Sequence, residues 1–227
     1  MWNDPARLNI VSRTIFLSAW LALLAASTEV LLWQPRFYIR QIIVKNPLSH
    51  VNGNMLAIAL KPFLPANMMD INLEALRRVI ATLPFVKQVE IRRVFPDTLE
   101  IEIREYHPVA RWRNGALIAE DGTVFSATSQ APLPMVFTEE ATIELSLEIL
   151  KTMRSLFAVI DKDITALTVT PRQSVAMRLS DGTVIIAGRD DVVLRVMRFI
   201  RLYPRWQKKV AVVDLRYTHG FATREKR

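Results

Sequence analysis

The stretch VEIRRVFPDTLEIEIR, residues 89–104, decides the first fold. Val89 and Ile91 alternate with Glu90 and Arg92, the period of a strand with one wet face. Phe95-Pro96-Asp97-Thr98 supplies a turn, with proline presetting φ at its first corner. On the return, Leu99, Ile101 and Ile103 alternate with Glu100, Glu102 and Arg104. Arg92 and Arg93 are expected to face Glu100 and Glu102 across the pair, each contact contributing about 0.2–1 kcal/mol.

Upstream of this hairpin, Leu73, Leu76, Val79, Ile80 and Leu83 recur at helical spacing, with Asp70 or Asn72 placed to cap the helix. Pro84 pushes Leu83 out of the α region and stops it. Asn54 to Leu60 reads as a short helix ended by Pro62 and Pro65, and Phe37 to Val44 as a strand closed at Asn46-Pro47. The order strand, helix, helix, strand, strand predicts two helices on one face of a small sheet.

Further upstream, Thr14 to Trp33 reads as a membrane helix. Fifteen residues between Arg13 and Glu29 carry no charge, and Val30, Leu31, Leu32 and Trp33 extend the run. About 20 residues at 1.5 Å each cross the roughly 30 Å hydrocarbon layer. Trp33 falls where an interfacial anchor sits, and Glu29 lies near enough to the end to reach headgroups. Arg7 and Arg13 against Asp4 favour a cytoplasmic N-terminus, so the rest of the chain is expected outside. A cleavable signal peptide cut at Ala25-Ala26-Ser27 is the rival, opposed by the apolar residues and tryptophan that follow. A buried core helix is opposed by the lack of a polar face.

Downstream lie short strands with turn signals. Asn114-Gly115 separates Val109–Trp112 from Ala116–Ala119, Asp121-Gly122 precedes Val124-Phe125, and Leu133 to Phe137 reads as a strand. Ile143, Leu147, Leu150, Met153 and Phe157 mark a helix with Thr138 or Thr142 as its cap. Ile164–Val169, Val175–Leu179, Val184–Ala187 and Val210–Val213 read as strands, with Ser180-Asp181-Gly182-Thr183 turning the chain into the third, and Asp190 to Trp206 reads as a helix. The expectation is a mainly antiparallel sheet carrying two helices.

The chemistry is sparse. There are no cysteines, which removes disulfides and thiol catalysis, and the three histidines stand far apart without metal-ligand spacing. No serine sits in a nucleophile elbow, and no glycine-rich loop follows a strand to cradle phosphate. Glu100 and Glu102 share a strand face, where a solvated surface explains them better than acid–base work. The net charge of +8 suits an anionic lipid surface or an acidic partner. The stretch 195–209 carries Arg195, Arg198, Arg201, Arg205, Lys208 and Lys209 with no acid, a stripe open to lipid or protein; no aromatic platform accompanies it for nucleic acid. Gly220 to Arg224 reads as a terminal strand at a sheet edge.

The βααββ order just outside a membrane anchor resembles a POTRA domain, a module that usually binds other proteins. Leu83-Pro84-Phe85-Val86, Val89 through Leu99, and Glu105-Tyr106-His107-Pro108-Val109-Ala110-Arg111-Trp112 closely resemble the FtsQ/DivIB family of bacterial cell-division proteins. The likeness continues through Gly122-Thr123-Val124-Phe125, Leu133-Pro134, Asp181-Gly182, Ala187-Gly188-Arg189, Val213 through Tyr217 and Gly220-Phe221-Ala222. Departures from the family pattern are Phe85 for tryptophan, Pro47 for glycine, Val175 for tryptophan, and a short tail before the anchor.

The resemblance implies an α+β chain: cytoplasmic tail 1–13, transmembrane helix 14–33, POTRA domain 37–107 and β domain 108–227. It implies no enzyme, cofactor, metal or nucleic acid. The expected role is a scaffold in the divisome during septum formation, linking FtsB and FtsL, with FtsW/FtsI among further partners, to the septal peptidoglycan machinery. The chain would be a single-pass type II protein of the bacterial inner membrane, its C-terminal domains periplasmic. Partner-binding candidates carried over are Tyr217, Thr218, Gly220, Phe221, Ala222 and Thr223 at the last strand, with Arg172 and Arg216 as basic residues near that edge. Another reading is a POTRA-bearing assembly factor for protein export or outer-membrane insertion; a single POTRA unit and no barrel-length chain count against it. A secreted enzyme with a cleaved signal peptide is a third.

Overall fold

The computed structural model describes residues 5–32, 37–202, 210–218 and 220–225. Asp4, Trp33, Arg205, Trp206 at the end of the expected helix, Lys208, Lys209 and the side chains of Arg7 and Glu29, all weighed above, lie outside the described residues. The chain folds as two compact units, Met1–Glu105 and Tyr106–Arg227.

The first unit opens with α1, Pro5–Leu32, one continuous helix of 28 residues. Its described side chains, residues 12–27, are all exposed. Ser18 and Ser27 return their hydroxyls to carbonyls three or four residues back, so these polar groups are satisfied within the helix. Among the described residues no helix is long and apolar enough to cross a membrane. The membrane-spanning role expected of residues 14–33 is therefore a proposal.

Then come β1 (Gln41–Val44), α2 (Gly53–Leu60), α3 (Leu73–Ala81), β2 (Val86–Val94) and β3 (Thr98–Glu105), in the sheet order β1-β3-β2. This is the expected βααββ order. Asn52 Oδ1 accepts the Asn54 N–H at 2.8 Å and Asn72 Oδ1 accepts the Ala75 N–H at 2.9 Å, so an asparagine starts each helix. Leu76, Ile80, Leu99, Ile101 and Ile103 are fully buried between α3 and the sheet. The first strand is shorter than expected because Phe37 to Ile39 spend their backbone groups on another segment. Met68 N–H donates to the Phe37 carbonyl and Ile39 N–H to Ala66. In the hairpin Arg92 stands opposite Glu100, as expected, but Arg93 stands opposite Leu99 and Glu102 opposite Glu90. Consecutive strand residues point to opposite faces, so Arg93 cannot share Arg92's side. Its guanidinium donates instead to the Ile71 carbonyl at 2.9 Å.

The second unit contains β4 (Pro108–Trp112), β5 (Leu117–Ala119), β6 (Val124–Phe125), β7 (Met135–Phe137), α4 (Ile143–Ala158), β8 (Ile164–Val169), β9 (Val175–Leu179), β10 (Val184–Gly188), α5 (Val192–Leu202), β11 (Val210–Asp214) and β12 (Ala222–Glu225). Gly115, Gly122 and Gly182 hold φ near +85° in the three hairpin turns foreseen at Asn-Gly and Asp-Gly. All the strands join one nine-stranded sheet, β12-β11-β10-β9-β8-β7-β4-β5-β6. Most neighbours run antiparallel, but β4–β7, β7–β8 and β10–β11 run parallel. Parallel neighbours need a crossover. α4 carries the chain from β7 to β8, and α5 carries it from β10 to β11.

One register row shows where the core sits. Trp112, Val136, Leu167, Met177, Ile185, Val213 and Thr223 stand side by side across seven strands. Val136, Leu167, Met177, Ile185 and Val213 are buried with Leu150, Met153 and Phe157 of α4 and Val196 and Phe199 of α5. Thr142 occupies the N-cap position of α4 without a capping bond, contrary to expectation. Its hydroxyl lies 2.7 Å from that of Thr138, and Ser146 donates to both Thr138 Oγ1 and the Thr142 carbonyl. The Thr142 hydroxyl is thus taken up by Thr138 and by the Glu139 carbonyl, and the buried Ser146 hydroxyl is satisfied by the Thr142 carbonyl.

Candidate partner-binding edge

β12 is the outermost strand, and its four residues are all exposed. It pairs antiparallel with β11 on one side: Asp214 opposite Ala222, Val213 opposite Thr223, Val212 opposite Arg224. Among the described residues no strand pairs with its other side. A strand paired once leaves every second N–H and C=O turned outward, which is what an incoming strand requires. The strand starts later than the sequence suggested, because Gly220 and Phe221 precede it.

Phe221 has a different task. Its ring meets Phe199 of α5 edge-on, with centroids 5.9 Å apart and planes at 86°, and it packs against the core. Arg198, the residue before Phe199 on α5, donates Nη1 to the Thr218 carbonyl at 2.9 Å. The segment between β11 and β12 is thus held to α5 at two points. Tyr217 is left outward, 58 % exposed.

Arg216, two residues past β11, folds back on the end of that strand. Its Nε and Nη2 reach the Asp214 carboxylate at 2.9 and 2.6 Å, and its backbone N–H donates to Asp214 Oδ1 at 3.0 Å. The guanidinium hydrogen bonds hold the Asp214 carboxyl below its usual range, outweighing the opposing effect of burial. The aspartate in turn raises the Arg216 guanidinium. The stem of Arg216 and the guanidinium of Arg195 cover Gly188, where a Cβ would stand 3.1 Å from each. Arg195 Nη1 also donates to the Ala187 carbonyl at 3.1 Å. Two arginines of the basic stripe therefore bind backbone carbonyls and fix the end of the sheet.

Seven of the eight candidates, Arg216, Tyr217, Thr218, Gly220, Phe221, Ala222 and Thr223, come together because they are nearly consecutive. Arg172 does not join them. It is exposed in the β8–β9 turn, at the same end of the sheet, with β9, β10 and β11 between that turn and β12. Asp214, Arg198 and Phe199 were missed as positioning residues. Phe199 carries a signal in hindsight, falling three residues after Val196 on the apolar stripe of α5.

Among the described residues no three His, Cys, Asp or Glu side chains group as metal ligands. His50 stacks on Phe85 at 5.2 Å, and the His107 carbonyl accepts the Glu120 N–H.

Comparison with known proteins is consistent along the chain. Residues 110–216 match the family described as cell division protein FtsQ/DivIB, C-terminal, and residues 37–106 match the POTRA domain, FtsQ-type. The cell division protein FtsQ of Burkholderia pseudomallei is 28% identical over 99% of this chain and 94% of its own length. That of Xanthomonas campestris pv. campestris is 30% identical over 93% of this chain and 81% of its own. That of Escherichia coli is 34% identical over 62% of this chain and 55% of its own.

Proposed function

Because the chain belongs to the FtsQ/DivIB family of cell division proteins, we propose that it is a bitopic, non-enzymatic scaffold of the divisome. In this reading α1 crosses the inner membrane within residues 14–33, the tail 1–13 is cytoplasmic, and a POTRA domain, 37–107, and a β domain, 108–227, lie in the periplasm at the septum. The β domain takes up FtsB together with FtsL by strand addition on β12, linking them to the FtsW/FtsI machinery that builds septal peptidoglycan.

The carrying observation is the singly paired, exposed edge of β12. Backbone bonds to such an edge give affinity, and side-chain positions give specificity. Thr223 ends the register row that is buried through Val213. A strand added beside it extends that row, so the partner residue seated next to Thr223 is apolar. On the opposite face Arg224 offers a cation to a partner carboxylate, and before the strand Tyr217 offers an exposed ring. Arg172 is too many strands away to contact the first added strand and serves, if engaged, a longer reach of the same partner.

The test is a titration of the full chain in nanodiscs with the extracytoplasmic part of FtsB, alone and with FtsL. It is repeated after deleting Gly220–Arg224, with circular dichroism to check folding. Binding lost on deletion supports strand addition; binding retained moves the site elsewhere. No binding by the intact chain overturns the proposal and favours a POTRA-bearing factor of export type.

A further inference from the structure

Helix α2 contains no charged residue, and its outward face is apolar. Leu56 and Leu60 enter the core of the first unit, while Ile58 is 70 % exposed and Met55 48 % exposed. The same face borders an open groove of about 560 Å³ lined by Ile39, Ala57, Ile58, Lys61, Leu64 and Pro65. Its one charge, Lys61, follows directly on the C-terminus of α2. An exposed apolar face of this kind, with a long cationic side chain at its edge, marks a surface that seats against a partner or a membrane.

Covalent connection says what lies nearby. The chain enters this unit at Phe37, and the bonds from Met68 to Phe37 and from Ile39 to Ala66 fix that point beside the groove wall at Leu64 and Pro65. Phe37 is five Cα steps from Leu32, the last residue of α1, a reach of about 17 Å at full extension. The headgroup region of a leaflet is itself about 5–8 Å deep. We propose that α2 and its groove seat on the bilayer surface beside α1. Met55 and Ile58 enter the boundary between headgroups and acyl chains, and Lys61 lays its stem along that surface with its ammonium at the phosphates. The occupant is lipid, and the consequence is that the βααββ portion that follows α1 is held close to the membrane rather than swinging on its tether. This rests on reading α1 as a membrane span.

The chain has no cysteine, so single labels are unambiguous. The full chain is reconstituted in nanodiscs of phosphatidylethanolamine and phosphatidylglycerol with a nitroxide on Ile58→Cys, Ala22→Cys or Lys151→Cys. Collisions with oxygen, which concentrates in lipid, are compared with those of a water-soluble nickel chelate. The expected result at position 58 is a nickel collision rate at least fivefold below that at position 151, with oxygen collisions raised. A label at 58 that behaves like that at 151, with 22 inside the bilayer, overturns the docking and leaves the span intact. A label at 58 shielded from both reagents also overturns it, since protein then covers the face. A label at 22 in water removes the span and the docking together.

Discussion

The Phe221 ring stands edge-on to Phe199, 5.9 Å between centroids, and this contact joins α5 to the residue immediately before β12. The edge strand is short and exposed, so its order depends on what anchors its start. Phe221→Ala removes that anchor from a half-buried position. The expected cost is about 1–2 kcal/mol of local stability. Amide exchange at residues 222–225 should accelerate about tenfold or more while the circular dichroism of the chain is unchanged. Unaltered exchange would mean that β11 alone orders the strand.

Gly188 makes a second anchor by having no side chain. It sits at φ +80° with a Cβ position 3.1 Å from both Arg195 Nη1 and Arg216 Cγ. Gly115 sits at φ +88° with open space around it. Alanine at either position costs about 1 kcal/mol for the left-handed backbone. At Gly188 it must also displace two arginines that hold the sheet end. Gly188→Ala is therefore expected to lower the thermal midpoint more than Gly115→Ala and to weaken partner binding. Equal midpoints would refute the packing argument.

Glu105 ties the end of β3 to the loop before α2. Its carboxylate accepts the N–H groups of Ser49 at 2.9 Å, His50 at 3.1 Å and Val51 at 2.7 Å. Burial pushes this carboxyl up, but the Val51, Ser49 and His50 N–H groups and the nearby His50 ring pull it further down, below its ordinary value. A folded pKa below the unfolded value of about 4.3 means stabilisation that is complete above that pH. It is lost as pH falls through the folded pKa. Glu105→Gln should cost about 1–2 kcal/mol at pH 7, and the difference from wild type should shrink below about pH 4. Urea unfolding at pH 7 and pH 3 checks both, and a pH-independent difference would contradict the assignment.

Asp214 offers a direct titration. The Arg216 guanidinium holds its carboxyl down, so carbon-detected NMR should place its midpoint below the ordinary aspartate value of about 3.9. Arg216→Gln should return it toward that value. Stability linked to this group is present above the unfolded pKa and disappears as pH falls through the lowered one. A midpoint indifferent to Arg216→Gln would mean that other neighbours set it.

What the sequence made legible was local. Asn114-Gly115, Asp121-Gly122 and Asp181-Gly182 specify turns by the left-handed backbone they need, and the 89–104 alternation states its own pleat. The terminal edge followed from the same reasoning. Parallel pairing of β10 with β11 was not legible, because α5 separates the two strands and no residue in either encodes the other. Arg172 was grouped with the edge by family likeness alone, and three intervening strands part them. Thr142 had the right residue type at the right place for a cap, but its hydroxyl turns back to the Glu139 carbonyl and to Thr138, partners visible only once the segment before α4 is folded. Phe221 read as a strand residue because edge and anchor look alike until α5 is in position.

The two rims of the nine-stranded sheet are unequal: β12 offers four residues and β6, Val124–Phe125, only two. Head-to-tail stacking of sheets into an open fibre needs both rims, and a two-residue rim is too short to hold a neighbour. Self-pairing through β12 would instead close on itself as a two-fold pair. Such a pair would occupy the edge that the proposed partner strand takes, so under that proposal homodimer and partner complex would exclude each other by geometry, without any change of shape.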